Sequence, residues 1–168
     1  MAQIQFQSRR ELLRYAGALA TLAAFRGGAM AAPPSSEITG RLARYMVSAR
    51  DRPLPAEVLT ACKHRILDTF GAMISGSRMK AGAMGIDYVR GLGGTEQASV
   101  IGSSFRTTTV NAALANGMCA HADETDDFEP VTKAHPGCSA VPAALAIAEK
   151  EGRSGEEFIR AVTLGYDL

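Results

Sequence analysis

Several common signatures are missing from this chain of 168 residues, and each absence excludes something. No apolar run reaches the ~20 residues that a membrane-crossing helix needs. The three cysteines, Cys62, Cys119 and Cys138, include no C-x-x-C pair, and an odd number cannot all pair with one another. A disulfide framework is therefore not implied, although a single Cys119–Cys138 bridge stays open, and Cys62 falls on an apolar helical face as a core residue. A tight helical His pair such as H-E-x-x-H is absent, which weakens any metal reading. A basic stripe is missing as well. Residues 1–31 hold four arginines against one acid, a balance of +3, so the overall +1 leaves the remainder at −2. A neutral-to-acidic body of this kind argues against nucleic acid as a partner.

The positive charge that is present sits in an N-terminal address. Ser8-Arg9-Arg10-Glu11-Leu12-Leu13-Arg14 resembles a twin-arginine export motif, and a short apolar stretch (16–25) follows it. Gly27-Gly28-Ala29-Met30-Ala31 offers a small-x-small cleavage pattern. Residues 1–31 therefore read as a signal peptide, 32–36 as a linker, and 37–168 as the folded part. The expected location is the periplasm, or the cytoplasm if the leader does not function. An amphipathic helix that happens to carry an arginine pair is the alternative, and no membrane contact beyond export is expected.

From Ser36 onward the periodicity is helical, and the fold class is all-α. Ser36 reads as an N-cap ahead of Ile38, Leu42, Tyr45 and Met46. After the break Asp51-Arg52-Pro53-Leu54-Pro55, a wide apolar stripe runs through Val58, Leu59, Cys62, Ile66, Leu67, Phe70, Met73 and Ile74 to a stop at Gly76. A third helix holds Ile86, Tyr88 and Val89 and ends at Gly91–Gly94. Residues 98–102 are the one plausible strand. Thr107–Thr109 cap the next helix, another begins at Pro136, and Ser154 with Glu157 forms a capping box for the last. That helix places Phe158, Ile159, Val162 and Leu164 on its buried side. With no stop signal after Leu168, the sequence reads as the N-terminal piece of a longer protein. Two helices are rich in small residues (Ala112, Ala113, Ala115, Gly117, Ala120; and Ala140, Ala143, Ala144, Ala146, Ala148), which suits the centre of a bundle.

Between those two helices lies HADETDDFEPVTKAH, residues 121–135, with five acids in seven positions and a histidine at each end. A loop joining two buried helices is expected to line a cleft. The helix opening His135-Pro136-Gly137-Cys138-Ser139 has unpaired first-turn N–H groups that favour a carboxylate or phosphate. His135 beside it can give or take a proton near neutrality. Crowded carboxylates should raise the pKa of at least one of their number. That chemistry suits removal of a proton next to a carboxylate. On residue patterns alone three readings stay open: catalysis, a solvated acidic loop, and a metal site using His121, Asp123, Asp126, Asp127 and His135.

Five blocks, Leu67–Gly76, Ala115–Asp127, His135-Pro136-Gly137, Val141–Ala146 and Gly165-Tyr166-Asp167, together resemble the MmgE/PrpD family over Glu37 to Leu168. The resemblance implies the N-terminal part of a large helical domain, with a smaller α/β lid and catalytic lysines supplied by later sequence. It also implies homodimers, no cofactor and no metal or iron–sulfur cluster, and a small di- or tricarboxylate as substrate. Lyase chemistry, dehydration or decarboxylation, is the leading expectation; isomerisation or epimerisation, or an inactive truncated fragment, are alternatives. His135 matches the family's catalytic histidine, and Asp126 and Asp127 its adjacent aspartates. Glu124 stands where the family has an aspartate, Phe128 where it often has threonine, and the loop to His135 is about a residue longer. Glu124, Asp126, Asp127 and His135 are thus the candidate catalytic set. Gly137, Cys138, Ser139, Lys133 and His121 are the candidate substrate-binding set.

Overall fold

The computed structural model describes residues 36–168; the leader and all but the last linker residue lie outside them. The described helices are α1 (Ser36–Ala49), α2 (Ala56–Gly76), α3 (Lys80–Leu92), α4 (Thr109–His121), α5 (Gly137–Glu151) and α6 (Gly155–Asp167). The only described strands are β1 (Ala98–Ser99) and β2 (Arg106–Thr107), between α3 and α4. The chain divides into two units, Met1–Arg44 and Tyr45–Leu168. In the first, α1 is described from Ser36 onward, and Ile38 and Leu42 are exposed. The second unit holds everything that follows.

Its organising element is α4, which packs against α2, α3 and α5. Small residues allow that: Ala112, Ala115, Cys119 and Ala120 are fully buried. Gly76 shows how close the approach is, because a Cβ there would overlap the Cys119 carbonyl. The end of α2 therefore touches α4 main chain to main chain, a contact open only to glycine. The alanine stripe of α5 behaves differently. Ala146 is buried, but Ala140, Ala143, Ala144 and Ala148 line an open hollow of about 350 Å³ with Phe158 and Ala161 of α6.

Two expectations need correcting. Leu67 and Ile74 are exposed, at 71% and 50%, because the buried face of α2 runs through Cys62, Ile66, Thr69, Met73 and Gly76. Tyr88 of α3 is likewise exposed. The strand expected over 98–102 stops at Ser99, since the chain turns at Ile101 and Gly102, the latter at φ +77°. The fully buried Asn116 of α4 holds that turn: its Oδ1 accepts from Ile101 N at 2.8 Å and its Nδ2 donates to Ser99 O at 3.0 Å. The caps of α4 and α6 are as the sequence predicts, whereas the helix expected from Pro136 starts at Gly137. Thr108 Oγ1 accepts from Asn111 N, and Ser154 with Glu157 forms the capping box of α6.

Candidate active site

His121 is the last residue of α4, and Gly137 the first of α5, so residues 122–136 form the connecting loop. Two acids anchor its flanks. Asp123 Oδ2 accepts from Ser75 Oγ on α2 at 2.6 Å, while its Oδ1 accepts from Thr125 N and Oγ1. The Ser75 bond, followed by those from Thr125, holds the Asp123 carboxyl below its usual range. Glu129 closes the tight turn after it, accepting from Val131 N, Thr132 N and Thr132 Oγ1. Those bonds, the Thr132 amide first, lower its pKa as well. Both shifts run opposite to the rise expected from mutual repulsion, because donors from Ser75 on α2 and from the loop itself favour the charged carboxylates.

The two central acids point to different places. The Asp126 side chain is fully buried, and it is the meeting point of both imidazoles. His121 Nδ1 lies 3.1 and 3.2 Å from its two oxygens, and His135 Nδ1 lies 3.3 Å from Oδ1. That His135 nitrogen is shielded from solvent and has no aligned hydrogen-bond partner, so its approach to Asp126 is an electrostatic contact without full hydrogen-bond geometry. The rings meet edge to face with centroids 4.8 Å apart, and the Phe128 ring centre lies 5.4 Å from that of His135. Asp127 turns instead to the start of α5, where its Oδ1 accepts from Gly137 N at 2.9 Å. A carboxylate at a helix N-terminus satisfies an orphan N–H and complements the helix dipole.

The expected anion cradle is thereby occupied by the chain itself. Gly137 N–H goes to Asp127, and Ser139 N–H and Oγ go to the Pro136 carbonyl. Gly137 admits close approach, but by the protein's own groups: a Cβ there would lie 2.6 Å from Asp127 Oδ1 and 2.8 Å from both Thr69 Oγ1 and Tyr166 Oη. Thr69 and Tyr166 were not among the residues picked from sequence. Their signal was a hydroxyl on each buried helical face, Thr69 between Ile66 and Met73 and Tyr166 four residues after Val162. Burial first, and the Asp127 carboxylate second, push the Tyr166 phenol well above its ordinary pKa.

The remaining candidates are more peripheral. Glu124 is exposed at φ +54°, and among the described residues its side chain makes no hydrogen bond. Lys133, at φ +63°, is exposed with Nζ 5.4 Å from the Phe128 ring centre, a cation–π contact. Ser139 is exposed. Cys138 donates its thiol to the His135 carbonyl at 3.1 Å; burial first, then Asp126, pushes that thiol up to about 11. All three cysteines are free, so no Cys119–Cys138 bridge forms. The loop as a whole is exposed around one buried carboxylate, with Glu124, Thr125, Phe128 and 130–134 all at the surface.

Comparison with known proteins adds to this geometry. Residues 40–168 match the MmgE/PrpD N-terminal domain. The chain is similar to the cis-aconitate decarboxylase-like protein oryM of Aspergillus oryzae, 28% identical over 144 residues, which make up 80% of this chain and 29% of that protein. It is also similar to the cis-aconitate decarboxylase of Aspergillus terreus, 24% identical over 137 residues, 79% of this chain and 28% of that protein. The chain thus spans less than a third of the length of the curated relatives it matches.

Proposed function

The chain belongs to the MmgE/PrpD family through its N-terminal domain, and from that premise we propose that it forms part of a lyase, a dehydratase or decarboxylase, acting on small di- or tricarboxylates. The observation that carries this reading is one buried carboxylate, Asp126, with two imidazole Nδ1 atoms within 3.3 Å. A carboxylate facing Nδ1 favours the tautomer with its proton there, which leaves Nε2 as the basic nitrogen. His135, the less exposed ring, is the base that takes a proton next to a substrate carboxylate. His121 is the partner that returns one, to a departing hydroxyl or to the carbon left by CO2. Asp126 positions both. Lys133 offers a cation for a substrate carboxylate, and Glu124 is the one loop acid left without a structural task.

The spacing favours elimination over epimerisation. Two bases serving opposite faces of a carbon must flank it, and centroids 4.8 Å apart leave no room for one between the rings. Further support comes from the relatives whose names specify cis-aconitate decarboxylation. The test is proton NMR of the histidine resonances as citrate is added to the chain. We expect His121 and His135 to shift while His64 on α2 stays still, and His135→Ala to abolish the response. Citrate that binds equally well to His135→Ala, or moves no imidazole, would remove this site from the reading. Deuterium exchange into cis-aconitate in D2O then reports on proton transfer itself.

A further inference from the structure

We propose that His121, Asp126 and Cys138 form a binding site for a single divalent metal ion of the zinc class. One ligand atom from each, an imidazole nitrogen, a carboxylate oxygen and the thiol sulfur, all lie within 4.8 Å of one another. Donors around a tetrahedral zinc stand ~3.3–3.6 Å apart at ordinary bond lengths. The His121–Asp126 pair is already near that spacing at 3.1 Å, so a small swing of the Cys138 side chain closes the set. A nitrogen, an oxygen and a sulfur suit zinc, whereas magnesium and calcium call for oxygen alone. Three protein ligands leave the fourth position to water.

Two further features point to a cation here. Among the described residues only imidazoles stand within ion-pair reach of the buried Asp126 carboxylate, with no lysine or arginine. A carboxylate so placed needs compensating positive charge, which an ion supplies outright. Second, His135 Nδ1 is shielded, unpartnered and 3.3 Å from Asp126 Oδ1. A small turn of that ring would make it the outer hydrogen-bond partner that ligating carboxylates usually have. The ligands come from the end of α4, the loop and the start of α5, so the site exists only in the folded chain. On binding, the thiol proton leaves for solvent and sulfur bonds the ion. Because the ion takes His121 and Asp126, it silences the acid–base pair; that consequence alone rests on the function proposed above.

The test is a cobalt(II) titration of the full chain in a buffer without carboxylates. We expect one equivalent to bind with the visible spectrum of a tetrahedral site and a near-ultraviolet thiolate-to-cobalt band, both erased by zinc. Cys138→Ser removes the near-ultraviolet band, and Cys62→Ser keeps it. His121→Ala and Asp126→Asn weaken zinc at least ~10-fold in competition with a chromophoric chelator, with circular dichroism confirming that each variant retains its helices. If a variant loses its helices, the Cys138→Ser spectrum decides. The proposal is overturned by the absence of a thiolate band, by a band that survives Cys138→Ser, or by only the weak six-coordinate spectrum of ions on surface carboxylates. Citrate shifts are recorded on chelator-treated protein, so failure of either idea leaves the other standing.

Discussion

The flanks and the centre of the acidic loop are built from the same residue types and do different work. At the flanks, Asp123 and Glu129 accept three hydrogen bonds each from serine, threonine and valine groups that fix the path of the chain. At the centre, Asp126 and Asp127 are neighbours in sequence yet face imidazoles on one side and a helix start on the other. Charge density alone therefore says little about chemistry. What separates a structural carboxylate from a candidate reactive one is whether donors of the local chain or titratable side chains meet it.

The comparison can be broken at the centre first. Gly137→Ala forces a methyl among Asp127, Thr69 and Tyr166, and we expect a loss of about 3 kcal/mol in urea unfolding. Asp126→Ala removes the carboxylate that faces both His121 Nδ1 and His135 Nδ1; about 2 kcal/mol should go, along with the citrate response. At the flank, Ser75→Ala removes one bond to Asp123 and should cost about 1 kcal/mol, with the citrate response kept. A flank variant that abolished the response would erase the distinction.

Titration sharpens it from both ends. Asp123 and Glu129 have depressed folded pKa values, so their contribution is present above the ordinary carboxylate range and is lost as pH falls through the folded values. The Thr125 and Thr132 amides should lose exchange protection in that acid window. Cys138 is shifted the other way, from 9.0 to about 11, so the folded state favours the neutral thiol. Its contribution is full below the unfolded value and disappears as pH rises from 9.0 to about 11, which alkaline unfolding and iodoacetamide labelling would follow. The smallest effect is Lys133→Gly. Relief of a left-handed backbone at φ +63° outweighs the entropy of glycine slightly, for a gain of about 0.5 kcal/mol in thermal unfolding.

Much of the architecture was legible because it is local. Helix periodicity, the Thr108 cap and the Ser154–Glu157 box depend on residues three or four apart. That His135 and the two adjacent aspartates belong to one loop was legible from the motif. The opposed directions of Asp126 and Asp127 were not, because they are set by contacts outside the acidic run, Asp126 with His121 and His135 and Asp127 with the Gly137 amide. Leu67 and Ile74 misled for a related reason: the buried face of α2 tolerates Thr69 and Gly76 because α4 and α5 approach there closely. Hydrophobic pattern sees side chains, and here the main chain of a neighbour chose the face.

The contact between Gly76 and the Cys119 carbonyl lies two residues before His121. No deformable side chain is interposed there, so the imidazole takes its position from a hard stop between two backbones. Drift in the surrounding apolar residues can reshape the interior without sliding that ring along its helix. Enlarging Gly76 would displace it directly, from a distance at which no ligand is touched.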